Sequence, residues 1–160
     1  MKLNLGCGKD IMKGYTNVNS EKFSGVDLIL DLNKIPYPFE ENQVDEIIMR
    51  SILEHLNEPY EVLKEIHRIS KPGAKIFISV PHFSSDTTWG DIQHKRGYGT
   101  QVFKEEHVAK YFTLKKQEIV FNRFKIFMPF IANKFPRLYE KTMAYIFQAS
   151  YIDIELGVIK

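Results

Sequence analysis

The chain is 160 residues long, 44% hydrophobic and 26% charged with a formal net charge of +2, which is the size and make-up of one folded domain and excludes a disordered tail. Its one cysteine, Cys7, excludes an internal disulfide and a thiolate zinc centre built from this chain alone, and suits a reducing, cytoplasmic setting. The charge is uneven, with 8 Lys/Arg against 12 Asp/Glu in residues 1–70 and 14 against 8 in residues 71–160; this mild surplus lacks the strongly basic footprint of a nucleic-acid binder.

In chain order, residues 2–5 form an apolar run stopped by Gly6 and Gly8, read as a buried strand, and 16–19 is a second candidate. The run 26–30, ended by Asp31, reads as another buried strand, and 44–49 as the next. A helix follows, started by Asn57 and Pro59, with Val62, Leu63, Ile66 and Ile69 on one face and Lys71-Pro72-Gly73 as its stop. Lys75 to Val80 is a fully buried strand closed by Pro81. Thr100 is placed to cap a helix running to Phe112, and 114–121 reads as a strand. Pro129 to Phe147 is aromatic-rich and partly helical. Ile152, Ile154, Leu156 and Val158 alternate with Asp153, Glu155 and Gly157, the period of a half-exposed, antiparallel strand.

Strands alternating with helical segments argue for an α/β fold, a Rossmann-like and mainly parallel sheet with an antiparallel last strand and ligands at the carboxyl ends of its strands. The N-terminal part departs from that plan. Only residues 6–15 and 20–25 separate the first three strands, too few for full crossover helices. Reduced helices there leave one sheet face thinly covered, for a loop, the C-terminal segment or a second subunit to complete; a homodimer is one such solution. The N-terminus shows no secretory signal, and the most apolar later stretch, Ile126 to Ala132, is far shorter than a membrane span, so a soluble cytoplasmic protein is expected.

The segment Leu3-Asn4-Leu5-Gly6-Cys7-Gly8 is a strand entering a glycine turn, where backbone can approach a ligand closely. Ile11 stands where a dinucleotide fingerprint needs its third glycine, which disfavours a nicotinamide cofactor. Together with Gly14-Tyr15-Thr16-Asn17-Val18-Asn19, Val26-Asp27-Leu28-Ile29-Leu30-Asp31-Leu32, Ile52-Leu53-Glu54-His55-Leu56 and Glu65-Ile66-His67-Arg68-Ile69-Ser70-Lys71-Pro72-Gly73, this loop resembles the class I S-adenosylmethionine-dependent methyltransferases, specifically the small type 11 family.

The resemblance covers about residues 2–81 and implies one methyltransferase domain over 1–160, with S-adenosylmethionine as cofactor and S-adenosylhomocysteine as product. It implies that Gly6, Cys7 and Gly8 line the methionine portion, Asp31 accepts from the adenine amino group, and the Leu32 amide donates to a ring nitrogen. Ser51 to His55 would wall the transferable methyl group. Asn19 departs from the acidic residue usual at the ribose, so either affinity falls or Glu21 reaches in.

The acceptor is expected at the loop from His82 through Arg96, which carries Asp91 and His94 in the Asp-x-x-His-Lys/Arg pattern shown by members of the family. His94, His82 and His55 are the candidates for taking a proton from it. Two readings stay open: a catalytic loop, or one in which Asp91 and His94 hydrogen-bond each other and pin it. His55 has the same pair of readings. No metal site is expected, because His82, Asp91 and His94 have no recognised ligand spacing.

The aromatic residues Phe124, Phe127, Phe130, Phe135, Tyr139, Tyr145 and Phe147 are read as sheet cover bordering an apolar pocket, with a weak membrane-surface contact through Lys134, Arg137 and Lys141 as the other reading. The functional expectation is a methyltransferase acting on a small molecule or a lipid- or sugar-linked intermediate. Its alternative is a non-catalytic cofactor-binding or scaffold subunit. Nucleic acid is disfavoured as substrate, since Arg50-Ser51-Ile52-Leu53 stands where an Asn-Pro-Pro-Tyr-like motif would lie.

Overall fold

A computed structural model describes residues 1–122 and 126–160. Phe124, counted above in the aromatic segment, lies outside the described residues. These form a seven-stranded sheet in the order β3-β2-β1-β4-β5-β7-β6. Its strands are β1 (Lys2–Leu5), β2 (Thr16–Asn19), β3 (Leu28–Ile29), β4 (Val44–Arg50), β5 (Ser70–Pro81), β6 (Phe112–Val120) and β7 (Tyr151–Val158). All pairings from β3 through β5 are parallel, whereas β7 inserts antiparallel between β5 and β6. This is the Rossmann-like sheet read from the sequence, with its antiparallel last strand.

Helix α1 (Pro59–Ile69) is the one long helix among the described residues, and it starts at Pro59 as expected. Val62, Leu63, Ile66 and Ile69 are buried on one sheet face, against Leu3, Leu5, Ile47, Met49, Ile76, Ile78, Ile152 and Ile154. Short helices follow at α2 (Asp86–Gly90), α3 (Glu106–Ala109), α4 (Met128–Lys134) and α5 (Pro136–Thr142). A second, smaller core gathers Ile119, Phe121, Met128, Ala132, Tyr139, Ala144 and Ala149 at the C-terminal end of the sheet.

No helix joins β1 to β2, β2 to β3 or β3 to β4. In the first of these connections a polar network takes the helix's place. Buried Asn17 accepts from Asn4 Nδ2 (3.0 Å) and from the Met12 amide (2.8 Å) while donating to the Met12 carbonyl (3.2 Å), and Asn4 Nδ2 also donates to the Asp10 carbonyl (2.7 Å). Two amide side chains thus satisfy backbone groups that a crossover helix would satisfy internally. The opposite sheet face stays open and polar. Lys2 pairs with Glu46 at 2.8 Å and Arg50 with Asp10 at 2.9 Å, and the Arg50 guanidinium lies over the Phe77 ring.

Three expectations are corrected. The run 26–30 is no buried strand: only Leu28 and Ile29 pair, at the sheet edge, and Ile29 is 56% exposed. The helix drawn from Thr100 to Phe112 is a 3-10 turn at Val102–Lys104 followed by α3, because Thr100 spends its hydroxyl on Glu140 (2.9 Å) and Phe112 already opens β6. Lys71-Pro72-Gly73 does not merely stop α1, since Ser70 pairs with Val44 and β5 starts directly at the helix end. Among the described residues no helix is long and apolar enough to cross a membrane.

Candidate functional site

A cleft of about 660 Å³ opens at the carboxyl ends of β1, β2 and β4, where a sheet of this kind takes its ligands. Gly6, Gly8, Asn19, Asp31, Leu32, Ser51 and His55 all line it. Residues from four separate segments of the sequence therefore meet around one volume.

Gly6 and Gly8 both adopt left-handed backbone, at φ +68° and +51°. Their surroundings differ. A Cβ on Gly6 would stand 2.4 Å from Ile52 Cγ1, whereas one on Gly8 would meet nothing within 4 Å and would occupy the cleft wall. Gly6 is thus needed for close packing of the turn on the segment after β4, and Gly8 for the open space. Cys7 does not line the cleft. It is buried, and its amide is committed to the Val18 carbonyl at 3.0 Å, so its expected contact with the cofactor is withdrawn.

Asn19 Oδ1 accepts from the Gly8 amide (3.2 Å) and its Nδ2 donates to the Glu21 carbonyl (3.0 Å). The Asn19 amide thus braces the glycine turn, and Glu21 itself reaches the cleft. Asp31 accepts from the Asn33 amide through Oδ1 at 3.0 Å and keeps Oδ2 for a ligand or for Lys34, 4.0 Å away. The Leu32 carbonyl is taken by the Tyr37 hydroxyl (2.9 Å), which leaves its N–H as the backbone group it can offer.

At the other end, Ser51 holds φ +47° just beyond β4, with its amide bonded to the Ser79 carbonyl at 2.9 Å. A non-glycine residue in that region stores strain of the sort that collects at functional sites. A 3-10 turn, Leu53–His55, follows. It places His55 on the cleft and turns Glu54 inward, where it is fully buried. Neither Glu54 carboxylate oxygen finds a hydrogen-bond partner. Burial pushes its pKa up to about 7, against weaker opposing pulls from its own backbone and from His94. Burial, reinforced by neighbouring His94, holds the His55 pKa below its ordinary value.

The loop after β5 folds back onto this turn. The Lys95 amide donates to the Glu54 carbonyl (3.0 Å), Arg96 donates to the carbonyls of Leu56 (2.6 Å) and Asn57 (2.9 Å), and the Tyr98 hydroxyl donates to the Leu53 carbonyl (3.1 Å). Ile92, Gln93 and Lys95 thereby join the cleft lining. His94 stands behind His55, ring centroids 4.6 Å apart at 71°. Its Nδ1 donates to the Thr88 carbonyl at 3.1 Å. Its Nε2 lies 3.8 Å from Glu54 Oε1 and 3.7 Å from Asp91 Oδ2, too far for a hydrogen bond to either. The side chains of Asp91 and His94 therefore do not bond each other; the His94 amide donates to the Asp91 carbonyl at 3.1 Å, and Asp91 Oδ1 accepts from the Gln93 amide at 2.8 Å.

His82 is elsewhere. It is fully buried, its Nδ1 accepting from the Ser84 amide (3.1 Å) and its Nε2 facing Glu140 at 3.5 Å, against the rings of Phe83 and Tyr139. It is a packed peg joining β5 to α5, so its proposed part in acceptor chemistry is withdrawn. Arg96, spent on two backbone carbonyls, is likewise a brace. The residue that sequence reasoning passed over is Glu54, although a carboxylate between Leu53 and Leu56 in an apolar stretch was a visible signal.

Comparison with known proteins agrees with this geometry. The family described as "Methyltransferase domain" matches residues 6–78, from the glycine turn into β5. A S-adenosylmethionine-dependent methyltransferase from Archaeoglobus fulgidus superposes with TM-score 0.69 at 17% identity, covering 98% of this chain and 85% of that one. A possible histamine N-methyltransferase from Thermotoga maritima gives 0.66 at 16% identity, covering 99% and 81%. The cyclase SpnF gives 0.65 at 19% identity, covering 99% and 75%. Identities this low establish the shared fold. A search of curated proteins finds no match.

Proposed function

We propose that this chain, which has the class I methyltransferase fold and a methyltransferase-family match over residues 6–78, is an S-adenosylmethionine-dependent methyltransferase of one domain. The observation that carries this reading is the cleft itself, in which the glycines of the turn after β1, the Asp31 carboxylate and His55 meet around about 660 Å³. The residues present fit the cofactor: Gly8 lines the cleft with no atom within 4 Å of where a Cβ would stand, and the Leu32 N–H makes no hydrogen bond to another described residue. Gly6 and Gly8 would hold the methionine portion, Glu21 and Asn19 the ribose side, and Asp31 with Leu32 the adenine. When bound, the cofactor supplies an electrophilic methyl group on sulfur.

The protein's own work is positioning. Ser51, Ile52 and His55 wall the methyl end, and Gln93 and Lys95 border it from the loop after β5, so that a bound acceptor would be oriented for in-line displacement. The cluster of Glu54, His55 and His94 is the polar group set at that end and would handle the acceptor's departing proton.

Trp89 (71% exposed) and Ile92 stand free at the rim, and Trp89 bonds the carbonyl of Phe83, whose ring packs on Tyr145. In the C-terminal segment Phe127, Phe130 and Ile146 are exposed as well. Such a rim favours an acceptor with an apolar part, a small molecule or a lipid-linked intermediate, over a strongly anionic polymer.

The same fold serves a cyclase, so a non-methylating cofactor-binding subunit is the second reading. Incubating the chain with methyl-labelled cofactor and fractionated cell extract separates the two. Label entering an extract component, with matching release of S-adenosylhomocysteine, supports the enzyme. Cofactor binding without label transfer in any fraction supports the second.

A further inference from the structure

The methyl end of the cleft holds a feature that methyl transfer alone does not require. Glu54 is fully buried and both its oxygens lack a hydrogen-bond donor, an expensive arrangement for a carboxylate unless something else meets it. His94, with its side chain 8% exposed, is oriented toward it. Because the Thr88 carbonyl can only accept, His94 Nδ1 carries the hydrogen, and in the neutral ring Nε2 presents its lone pair. That lone pair faces Glu54 Oε1 at 3.8 Å and Asp91 Oδ2 at 3.7 Å. The His55 ring closes the third side. One ligand atom each from Glu54, His55 and His94 lie within 4.8 Å of one another.

A carboxylate and an imidazole lone pair converging at this spacing, with a second imidazole beside them, describe a cation site. Ligands of a tetrahedral ion with bonds of 2.0–2.1 Å stand about 3.3 Å apart, so the 3.8 Å between Glu54 and His94 would shorten by about half an ångström and the widest spacing in the set, within 4.8 Å, by at most about 1.5 Å. The backbone carbonyl behind His94 is the outer partner that fixes the tautomer of a metal-bound histidine.

We propose that Glu54, His55 and His94 hold one divalent transition-metal ion of the zinc class. Two imidazoles and one carboxylate form a borderline donor set that suits zinc, whereas magnesium and calcium prefer oxygen throughout. Asp91, at the mouth, is a fourth ligand or a partner for what the ion binds. Since His55 also lines the cleft, an ion held here would lie next to the acceptor's place, and a hydroxyl bound to it would lose its proton more readily. This deepens the methyltransferase reading, yet zinc binding and S-adenosylhomocysteine binding are measured separately, so either can fail alone.

The test uses the full chain freed of any affinity tag and stripped with chelator. Titration with zinc chloride should show one ion per chain, and the cobalt(II) form should show the visible absorption of a four-coordinate site. Zinc X-ray absorption should show nitrogen and oxygen neighbours with two imidazoles and no sulfur. His94→Ala and Glu54→Gln should each weaken zinc binding more than about a hundredfold, while His107→Ala, away from the site, leaves it unchanged. Circular dichroism checks that each variant is folded, and His55→Ala serves if Glu54→Gln is not. Wild-type zinc affinity equal to that of folded His94→Ala, or binding that disappears instead with His67 or His107, overturns the site.

Discussion

Substituting each glycine of the turn after β1 by alanine should separate folding from binding. Both residues are left-handed, so an alanine costs about 1–2 kcal/mol of backbone strain at either position. At Gly6 the new methyl also stands 2.4, 2.8 and 2.9 Å from three carbons of Ile52, and this overpacking adds about 1–3 kcal/mol. At Gly8 it meets nothing. With a shift of about 2–4 °C per kcal/mol for a chain of this size, Gly8→Ala should melt about 2–8 °C below wild type and Gly6→Ala about 4–20 °C below. Binding should separate differently. In Gly8→Ala the methyl takes up space that the ligand needs, so S-adenosylhomocysteine should bind roughly tenfold to a hundredfold more weakly in calorimetry, in a folded protein. Unchanged affinity in Gly8→Ala, or equal thermal losses in the two variants, would refute the reasoning.

Further substitutions probe other parts of the account. Asp31→Ala should keep the fold, since its side chain bonds only Asn33 and approaches Lys34 at the surface, and should lower S-adenosylhomocysteine affinity about tenfold; wild-type affinity by calorimetry would remove Asp31 from the adenine. Glu65→Ala should destabilise by about 2–3 kcal/mol at neutral pH, because buried Glu65 accepts from the Tyr37 amide (2.7 Å) and from Arg68 (2.6 and 2.8 Å). Burial pulls the Glu65 pKa upward, but the Arg68 guanidinium and the Tyr37 amide outweigh it and hold it below the ordinary value. The stabilisation is therefore present at neutral pH and lost as pH falls through the carboxylate range, so the gap between wild type and variant in urea unfolding should narrow toward about pH 3; a constant gap contradicts the pairing. Arg96→Ala removes the bonds to Leu56 and Asn57, and limited proteolysis should cut the loop after β5 faster than in wild type; equal rates would mean that this brace is not what holds the loop.

Much of this architecture was legible because it rests on local pattern. The face of α1 and the alternation in β7 each declare one buried side, and each formed as read; the run Lys75 to Val80, read as fully buried, is buried on one face only, with Lys75 exposed and Phe77 and Ser79 half-buried. The edge strand did not form as read, because Val26–Leu30 is apolar enough for a buried strand while pairing with one neighbour over two residues, a fact of sheet order. That Gly6, Gly8, Asn19, Asp31, Leu32 and Ser51 would gather in one place was readable from motif spacing, and they do line one cleft. Cys7 was misplaced because its neighbours Gly6 and Gly8 line the cleft while its own amide closes onto Val18. The histidines were the least legible. Nothing in residues 82–96 shows that His82 is sealed against Tyr139 while His94, twelve positions on, crosses to Glu54 and His55. That difference depends on how Arg96, Lys95 and Tyr98 lace the loop to the turn after β4.

The central claim is that this cleft is a cofactor site, and a crystal structure of the chain grown with S-adenosylhomocysteine tests it most directly. The account predicts the methionine portion against Gly6 and Gly8, the ribose beside Glu21 and Asn19, the adenine between Asp31 and Leu32, and the sulfur directed toward Ser51 and His55. Density for the ligand elsewhere on the chain, or an unliganded cleft at saturating concentration with the cleft open to solvent, would contradict it.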